Sequence, residues 1–229
     1  MNTQFYAQYQ QDQVIDFLLQ KKYQGFFLDI GAHDGITFSN SYFFEKNRNF
    51  NGICLEPNPI VFAHLIKNRR CDCLNSAASS NDGSAKFTKI SGYSEMLSGL
   101  EEFRDSRHDE RAKKEIEANG GEIETIVVTT VNVNRLIENK SVDFISIDIE
   151  GGEFDVLKTL DFNKFDCKIL IVEINYENQK NQILELLRNN NFFIYKRAGS
   201  DYIFLNIRHF KIKYYKIKLI KLINRFFNR

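Results

Sequence analysis

The sequence is poor in residues that break regular structure, and it lacks long apolar runs. Its 229 residues include two prolines, 12 glycines and no tryptophan. No apolar stretch approaches the roughly 20 residues of a membrane-spanning helix, and the N-terminus has neither the basic start nor the apolar stretch of a secretory signal. With 43% hydrophobic and 27% charged residues, the composition excludes collagen-like and disordered classes and predicts a globular domain with a sizeable core.

Cysteine is also scarce, and its spacing carries information. Cys54, Cys71, Cys73 and Cys167 form no C-x-x-C motif. Without a secretory signal, we expect them to be free thiols in a reducing compartment, where they pack as small hydrophobic residues. The sequence therefore predicts a cytoplasmic protein.

Charge is distributed unevenly along the chain. Residues 208–229 carry eight of the 31 Lys and Arg residues and none of the 30 acidic residues. On a helical wheel the apolar side chains of this segment cover an arc of about 160°, so the pattern predicts a basic amphipathic helix. Such a helix either lies on an anionic membrane surface or packs on the acidic remainder of its own chain. Nucleic-acid binding is not expected, since the tail is rich in aliphatic residues and the remainder is acidic.

Strand-like and helix-like segments alternate in the remainder, residues 1–207. Continuous apolar runs typical of buried parallel strands cover 25–30, 52–56, 71–77, 142–148 and 168–173. Helical segments are predicted between them at 12–22, 39–46, 60–68, 153–160 and 179–189. This order predicts an α/β fold with an open, mostly parallel, doubly wound sheet and a ligand site at the carboxyl ends of its strands.

One region, about 84–132, departs from this alternation. Two extra strands are predicted at 84–91 and 124–132, on either side of a charged helical segment at 101–122. We interpret the region as an inserted β/helical element. The polar loop 92–100 at its start is either a cover over the site or a mobile linker.

Glycines and an acid follow the first two predicted strands. Gly31 and Gly35 have the spacing Gly-x-x-x-Gly, not the Gly-x-Gly-x-x-Gly of most dinucleotide sites. Glu56, followed by Pro57, ends the second strand, where an acid accepts hydrogen bonds from ribose hydroxyls. Small residues follow the third strand and leave room for a flat base, whose edge would bond to Asn75 or to the backbone. These features together predict a nucleoside site.

Carboxylates follow the fourth predicted strand. Asp148 and Glu150 stand at alternate positions, which share one face of a strand. Two like charges that close raise each other's pKa, which suits one to accept a proton or both to hold a cation. Glu153 is expected to cap the following helix.

Four motifs, in this order, resemble the FkbM-type S-adenosylmethionine-dependent methyltransferase family. They are FLDIGAHDG at 27–35, CLEPNP at 54–59, LNSAAS at 74–79 and IDIEGGE at 147–153. The resemblance runs from about Tyr9 to Asn206 and includes the 92–100 loop. It implies a Rossmann-like class I methyltransferase fold and O-methylation, often of sugars or glycan components in polysaccharide biosynthesis.

The resemblance also implies which residues contact the S-adenosylmethionine. The loop at the first strand would hold the methionine part, Glu56 and Pro57 the ribose, and the turn after the third strand the adenine. The implied cofactor residues are Asp29, Gly31, Ala32, His33, Gly35, Glu56, Pro57, Asn75, Ser76, Ala77 and Asp148.

The group that activates the acceptor hydroxyl is left open. Relatives have Glu-His-Asn or a similar triplet at the end of the fifth strand, where this chain has Glu173-Ile174-Asn175 and therefore no histidine. The candidate bases are Asp148, then Glu150 and His33. The alternative is a Mg²⁺ ion held by the oxygens of Asp148, Glu173 and Asn175.

The expected function is O-methylation of a hydroxyl on a sugar or glycan precursor, with peripheral contact to the inner membrane face through 208–229. Two other functions fit the same sheet. A nucleotide-sugar or dinucleotide-dependent enzyme is disfavoured by the glycine spacing. An inactive, cofactor-binding membrane adaptor is disfavoured by the acids at 148 and 150.

Overall fold

The structure of the protein is a computed structural model. It describes residues 3–104, 106–175 and 177–227, and their side chains except those of 106, 178 and 220–227. The helices are α1 (Gln11–Leu18), α2 (Tyr42–Arg48), α3 (Pro59–Asn68), α4 (Ser106–Asn119), α5 (Val133–Ile137), α6 (Glu153–Thr159), α7 (Glu177–Asn189) and α8 (Ile207–Phe227). The strands are β1 (Phe26–Ile30), β2 (Asn51–Leu55), β3 (Asp72–Leu74), β4 (Ala77–Ser79), β5 (Gly83–Ile90), β6 (Gly99–Leu100), β7 (Ile123–Asn132), β8 (Ser141–Ile147), β9 (Asp166–Glu173), β10 (Phe192–Ala198) and β11 (Asp201–Asn206).

The main sheet has seven strands in the order β10-β11-β9-β8-β1-β2-β3. Neighbouring strands from β9 to β3 are parallel, whereas β11 is antiparallel to both β9 and β10. The order reverses at β1, so crossovers place helices on both faces. The predicted α/β, mostly parallel, doubly wound sheet of Rossmann-like type is confirmed.

Hydrophobic cores cover both faces of this sheet, because successive strand residues point to opposite sides. Leu28 and Ile145 belong to the core beneath α5, α6 and α7, whereas Phe27 and Phe144 belong to the core beneath α1, α2 and α3. The rings of Phe27 and Phe144 stack with centroids 5.7 Å apart. The alternation explains why these strands read as continuous apolar runs in the sequence.

A second sheet has four strands in the order β4-β7-β5-β6. It contains the two strands predicted in the insertion, which pair antiparallel as β5 and β7. The short 3₁₀ segment Gly92–Leu97 and the helix α4 pack beside this sheet. The insertion therefore has its own small core, centred on Phe87, Leu100 and Val128.

Two of the predicted elements differ from the structure, and one hairpin was not predicted. The helix expected at 12–22 ends at Leu18, since Gln20 and Lys21 adopt positive φ angles of 56° and 55°. The strand expected at 71–77 is two strands: β3 ends the main sheet, and β4 pairs with β7 in the second sheet. The hairpin of β10 and β11 was not predicted at all, although Gly199 and Ser200 separate two apolar runs there.

The basic tail is helical, and the first part of the helix contacts the rest of the domain. The helix α8 follows β11 directly and has a non-helical kink at Phe210. His209 Nε2 lies 2.7 Å from Asp166 Oδ1, and the rings of Tyr214 and Phe193 are 5.2 Å apart. The first part of α8 therefore packs on β9 and β10. The predicted apolar face beyond Leu219 lies outside the described side chains.

Candidate active site

A cavity of about 610 Å³ opens at the carboxyl ends of β1, β2, β8 and β9. A volume of this order suits a small-molecule ligand, and the place is the usual one in such sheets. Its lining includes most of the predicted cofactor and catalytic residues, namely Asp29, Gly31, Ala32, His33, Glu56, Pro57, Ser76, Ala77, Asp148, Glu150, Glu173 and Asn175.

The glycine loop after β1 is held tightly against its neighbours. Gly31 has a φ of 83°, and its N–H donates to the carbonyl of Leu55 at 3.0 Å. A Cβ at this position would overlap the carbonyl oxygen of Asp148. Only glycine fits here, and its absent side chain lets the β1 loop and the β8 loop meet at the cavity.

Glu56 is fixed by two backbone donors. Its Oε2 accepts from the N–H of His33 at 3.1 Å, and its Oε1 accepts from the N–H of Asn58 at 2.8 Å. Asn58 in turn caps α3, because its Oδ1 accepts from the N–H of Ile60. Burial raises the pKa of Glu56 to about 7, against the lowering effect of these two hydrogen bonds. The acid is thus directly connected to the glycine loop.

Two of the predicted cofactor residues do not line the cavity. Asn75 donates from Nδ2 to the backbone oxygens of Glu56 and Pro57, at 2.8 and 3.1 Å. Gly35 turns with a φ of 82°, and its carbonyl accepts from Arg69 at 3.1 Å. Both residues brace the loops that form the cavity, and their contact with the cofactor stays a prediction.

Asp29 lines the cavity, but its carboxylate accepts a hydrogen bond from Ser41 inside the fold. Ser41 donates to it from Oγ at 2.5 Å, and both side chains are buried. Burial raises the pKa of Asp29, while the nearby Arg69 guanidinium and the hydrogen bond from Ser41 oppose the rise. Asp29 therefore fixes the start of α2 relative to β1.

Three carboxylates converge where β8 and β9 end. One oxygen from each of Asp148, Glu150 and Glu173 lies within 4.8 Å of the others. Desolvation inside the cavity, followed by the charges of Glu173 and Glu150, holds the pKa of Asp148 well above its usual range. The pKa of Glu150 is raised to about 8, by burial and then by Glu173, although Arg111 lies 3.2 Å away. The cluster can therefore accept or share a proton near neutral pH.

The reason given for the proximity of Asp148 and Glu150 was wrong. The strand β8 ends at Ile147, so the two residues are not strand neighbours. Glu150 instead has a φ of 55°, a left-handed conformation that turns the chain back. The carboxylate of Glu153 supports this turn by accepting from the N–H groups of Ile149 and Gly151, at 3.2 and 3.0 Å.

Asn175 is not part of the carboxylate cluster. It lines the cavity and is exposed, but the group that completes the cluster of Asp148 and Glu173 is Glu150. The structure therefore brings Asp148 and Glu173 together and adds Glu150 to them, and a role for Asn175 as a ligand stays a prediction.

The 92–100 loop contributes to the cavity wall. His33 Nε2 and Glu95 Oε1 are 3.1 Å apart, which joins the loop to the glycine turn. Residues 95–100 line the cavity, and Gly99 packs close to the backbone of Ile149 and Glu150. The insertion thus contacts both the glycine loop after β1 and the loop after β8 that carries Asp148 and Glu150.

Several residues of the site were not anticipated. Asn40 donates to Ser146 at 3.0 Å inside the fold, and Arg197 and Asp201 of the β10–β11 hairpin line the cavity. Arg69 joins three segments by bonds to Glu45, Gly35 and Ser41. Their only signal in the sequence is a polar or charged side chain, which does not locate a partner.

The chain was compared with known sequences and structures. The methyltransferase FkbM domain matches residues 29–194. No curated protein sequence matches significantly. Among solved structures, methyltransferase FkbM from Methylobacillus flagellatus is 13% identical, with a TM-score of 0.47 over 80% of this chain and 44% of that chain.

Two further solved structures match the chain. The fibrillarin of Aeropyrum pernix, solved with natively bound S-adenosyl-L-methionine, is 14% identical, with a TM-score of 0.44 over 84% of this chain and 72% of that chain. A TehB-like methyltransferase from Corynebacterium glutamicum is 9% identical, with a TM-score of 0.45 over 87% and 89% of the two chains.

This chain spans less than half of the Methylobacillus flagellatus protein. The match to the FkbM domain nevertheless covers most of the chain, including the glycine loop, Glu56 and the carboxylate cluster. The chain therefore belongs to the FkbM family of S-adenosylmethionine-dependent methyltransferases.

Proposed function

We propose that the protein transfers the methyl group of S-adenosylmethionine to a hydroxyl of a sugar or glycan precursor. The observation that carries the proposal is that one cavity is lined both by a nucleoside-type acid, Glu56, and by Asp148 and Glu150, two carboxylates whose pKa values are raised. A family match alone would not separate a binding protein from an enzyme; the second group of residues supports catalysis.

The residues after β1 and β2 form the cofactor half of the proposed site. The glycine loop offers backbone groups to the cavity, and Glu56 presents a carboxylate whose position is fixed by His33 and Asn58. Ser76 and Ala77 add small side chains to the lining, which suits a flat base. Bound S-adenosylmethionine supplies an electrophilic methyl group on a sulfonium.

The residues after β8 and β9 form the acceptor half. Asp148 takes the proton of the acceptor hydroxyl, since its pKa is held well above the usual range by the cavity and by Glu173 and Glu150. Glu150 is positioned by Arg111, and Glu173 accepts from Ser200 Oγ at 3.1 Å. Polar side chains at the rim, including Asn175 and Arg197, suit a hydroxylated acceptor better than an apolar one.

Calorimetric titration tests the cofactor half first. We expect S-adenosylmethionine and its demethylated product to bind, and NAD not to bind. The variant Glu56→Ala should lose about 1.5–3 kcal/mol of this binding free energy, because charge-assisted hydrogen bonds to the ribose are lost. Glu117→Ala, on the exposed side of α4, is the matched control. Binding of NAD alone would contradict the proposal.

The same carboxylates also suit a hard cation, which we propose as the second way of activating the hydroxyl. Carboxylate oxygens are the ligands that Mg²⁺ prefers, and Asp148, Glu150 and Glu173 lie close enough to share one ion. Protein purified in chelator and assayed with and without Mg²⁺ separates the two mechanisms. Activity that survives chelation assigns the proton to a side chain, whereas activity restored only by Mg²⁺ assigns the ion.

We propose further that α8 attaches the enzyme to an anionic membrane surface. The large apolar side chains Ile212, Tyr215 and Leu219 are 73%, 63% and 57% exposed, although the start of the helix packs on the domain. Basic residues are interspersed with them, as in helices that lie in the headgroup region. No helix of the described residues has the length and apolar character to cross a bilayer.

A further inference from the structure

Three of the four cysteines come together at an edge of the main sheet. Cys54 on β2 and Cys73 on β3 are paired in register, and Cys71 precedes β3. The three sulfur atoms lie within 4.8 Å of one another, and those of Cys54 and Cys71 are 3.5 Å apart. None of the three lines the cavity, so the cluster is separate from the proposed active site.

The cluster is accessible from outside the fold. Cys54 is buried, but Cys71 and Cys73 are half-buried, and β3 is the edge strand of the main sheet. An ion can therefore approach from the edge without crossing the core. This accessibility distinguishes the cluster from Cys167, which is a single buried cysteine on β9.

The surroundings supply positive charge. The Arg69 guanidinium interacts electrostatically with all three cysteines. Its own carboxylate partner is Glu45, whose Oε2 also accepts from the N–H of Cys71 at 3.2 Å. The charge of Arg69 offsets part of the negative charge that three thiolates would bring to one place.

We propose that Cys54, Cys71 and Cys73 form a binding site for one thiophilic d¹⁰ cation of the Zn²⁺ class. Thiolates select such soft cations over Mg²⁺ or Ca²⁺. A Zn–S bond of about 2.3 Å places tetrahedrally arranged sulfurs roughly 3.8 Å apart, a separation within the span of the cluster. The fourth position stays open to water. Binding would cross-link β2, β3 and the segment after α3, and so stabilise this edge of the sheet.

Zn²⁺ alone is the probe. The full chain, purified with chelator and reductant in the absence of oxygen, is titrated with Zn²⁺ in competition with a chromophoric chelator. We expect one tight equivalent per chain and an affinity at least about 100-fold weaker in Cys71→Ser and in Cys73→Ser, since loss of outer-shell partners already costs about 10–100-fold. Cys167→Ser is the matched control and should bind as the wild type does.

Two further measurements make the test decisive. Glu173→Gln should leave the affinity unchanged; a loss there would move the ion to the carboxylate cluster and overturn the proposal. In the unmodified protein, Zn²⁺ should protect Cys71 and Cys73 from alkylation without changing Cys167, a result that does not depend on any variant folding. Absence of protection, or a Cys54–Cys71 disulfide forming in place of metal binding under these reducing conditions, would also overturn it.

Discussion

Asp148 is the side chain on which methyl transfer depends in the proposed function. Asp148→Asn keeps the shape but removes the proton acceptor, so we expect kcat to fall by about 100- to 10,000-fold while S-adenosylmethionine affinity changes little. The measurement is methyl transfer together with calorimetric binding. Asp155→Asn, an exposed pair partner of Lys158 on α6, is the control. Near-normal turnover of the Asp148 variant would move the base to Glu150 or His33.

Ionisation of the buried Glu153 carboxyl makes the free energy of unfolding depend on pH. Burial raises its pKa from 4.5 to about 7, against the hydrogen bonds from the loop. Below pH 4.5 both the folded and the unfolded chain hold the proton. As pH rises from 4.5 towards 7, the unfolded chain releases it first, so the free energy of unfolding falls. Above this pH range the ionised, buried Glu153 lowers the free energy of unfolding by its full amount, about 3 kcal/mol at most.

Glu153→Gln should remove this dependence. A glutamine Oε1 still accepts from Ile149 and Gly151, while the buried charge is gone. We expect the variant to be more stable than the wild type at pH 8 and equal to it near pH 4.5, as measured by urea unfolding. For the control Glu117→Gln, at an exposed position, the free energy of unfolding should depend on pH as it does in the wild type. Parallel curves for Glu153→Gln would mean that the folded protein holds this carboxylate without cost.

Roles of single residues were predictable only where backbone position decides them. The position of Glu56 at the cavity could be predicted because this residue follows a strand at a fixed distance from the glycine loop. The hydrogen bonds of the Asn75 amide to the backbone of Glu56 and Pro57 could not be predicted. The direction of a side chain depends on partners distant in sequence, which a pattern does not contain.

At the scale of elements, Arg69 connects α2, α3 and the glycine loop. It is buried and bonds to Glu45, Gly35 and Ser41, whereas Arg70, beside the same Glu45, has a side chain that is 74% exposed. We expect Arg69→Met to cost about 3–5 kcal/mol of stability, because Glu45 is left buried without its main partner. Arg70→Met should cost about 1 kcal/mol or less.

Denaturant unfolding of the two variants side by side tests this difference. Because both substitutions remove one positive charge and differ mainly in burial, general charge effects cancel. Equal losses of stability would show that the Arg69 network does not hold these elements together.

Elements with a strong apolar pattern were predicted well, and those defined by pairing were not. The strands β1, β2, β8 and β9 are buried on both faces and so read as apolar runs. The run 71–77 is continuous in sequence, but the chain turns at Ser76, and Ala77 begins β4 in another sheet. Which sheet a strand joins depends on pairing with residues distant in sequence, and local periodicity does not predict such pairing.

At the scale of the whole molecule, the chain separates an acidic remainder from a basic end. The active-site cavity and its carboxylates belong to the acidic part, and the eight basic residues of 208–229 follow the last strand directly. Two alternatives were predicted for this tail, namely packing on the domain and contact with a membrane. The structure shows packing for the first part of the helix. His209 and Tyr214 pack on the domain, while Ile212, Tyr215 and Leu219 remain exposed.

Shortening α8 separates the packed part of this helix from the exposed part. Deleting 217–229 removes four basic residues but keeps the packed start of α8, so the melting temperature should change little. Binding to vesicles that contain an anionic lipid should weaken by more than about 100-fold at low salt, because each basic residue near such a surface contributes about 1 kcal/mol. Vesicles of neutral lipid are the control, and added salt should weaken binding of the full chain. If the deletion lowers the melting temperature by many degrees and leaves vesicle binding unchanged, α8 is a structural helix of the domain along its whole length.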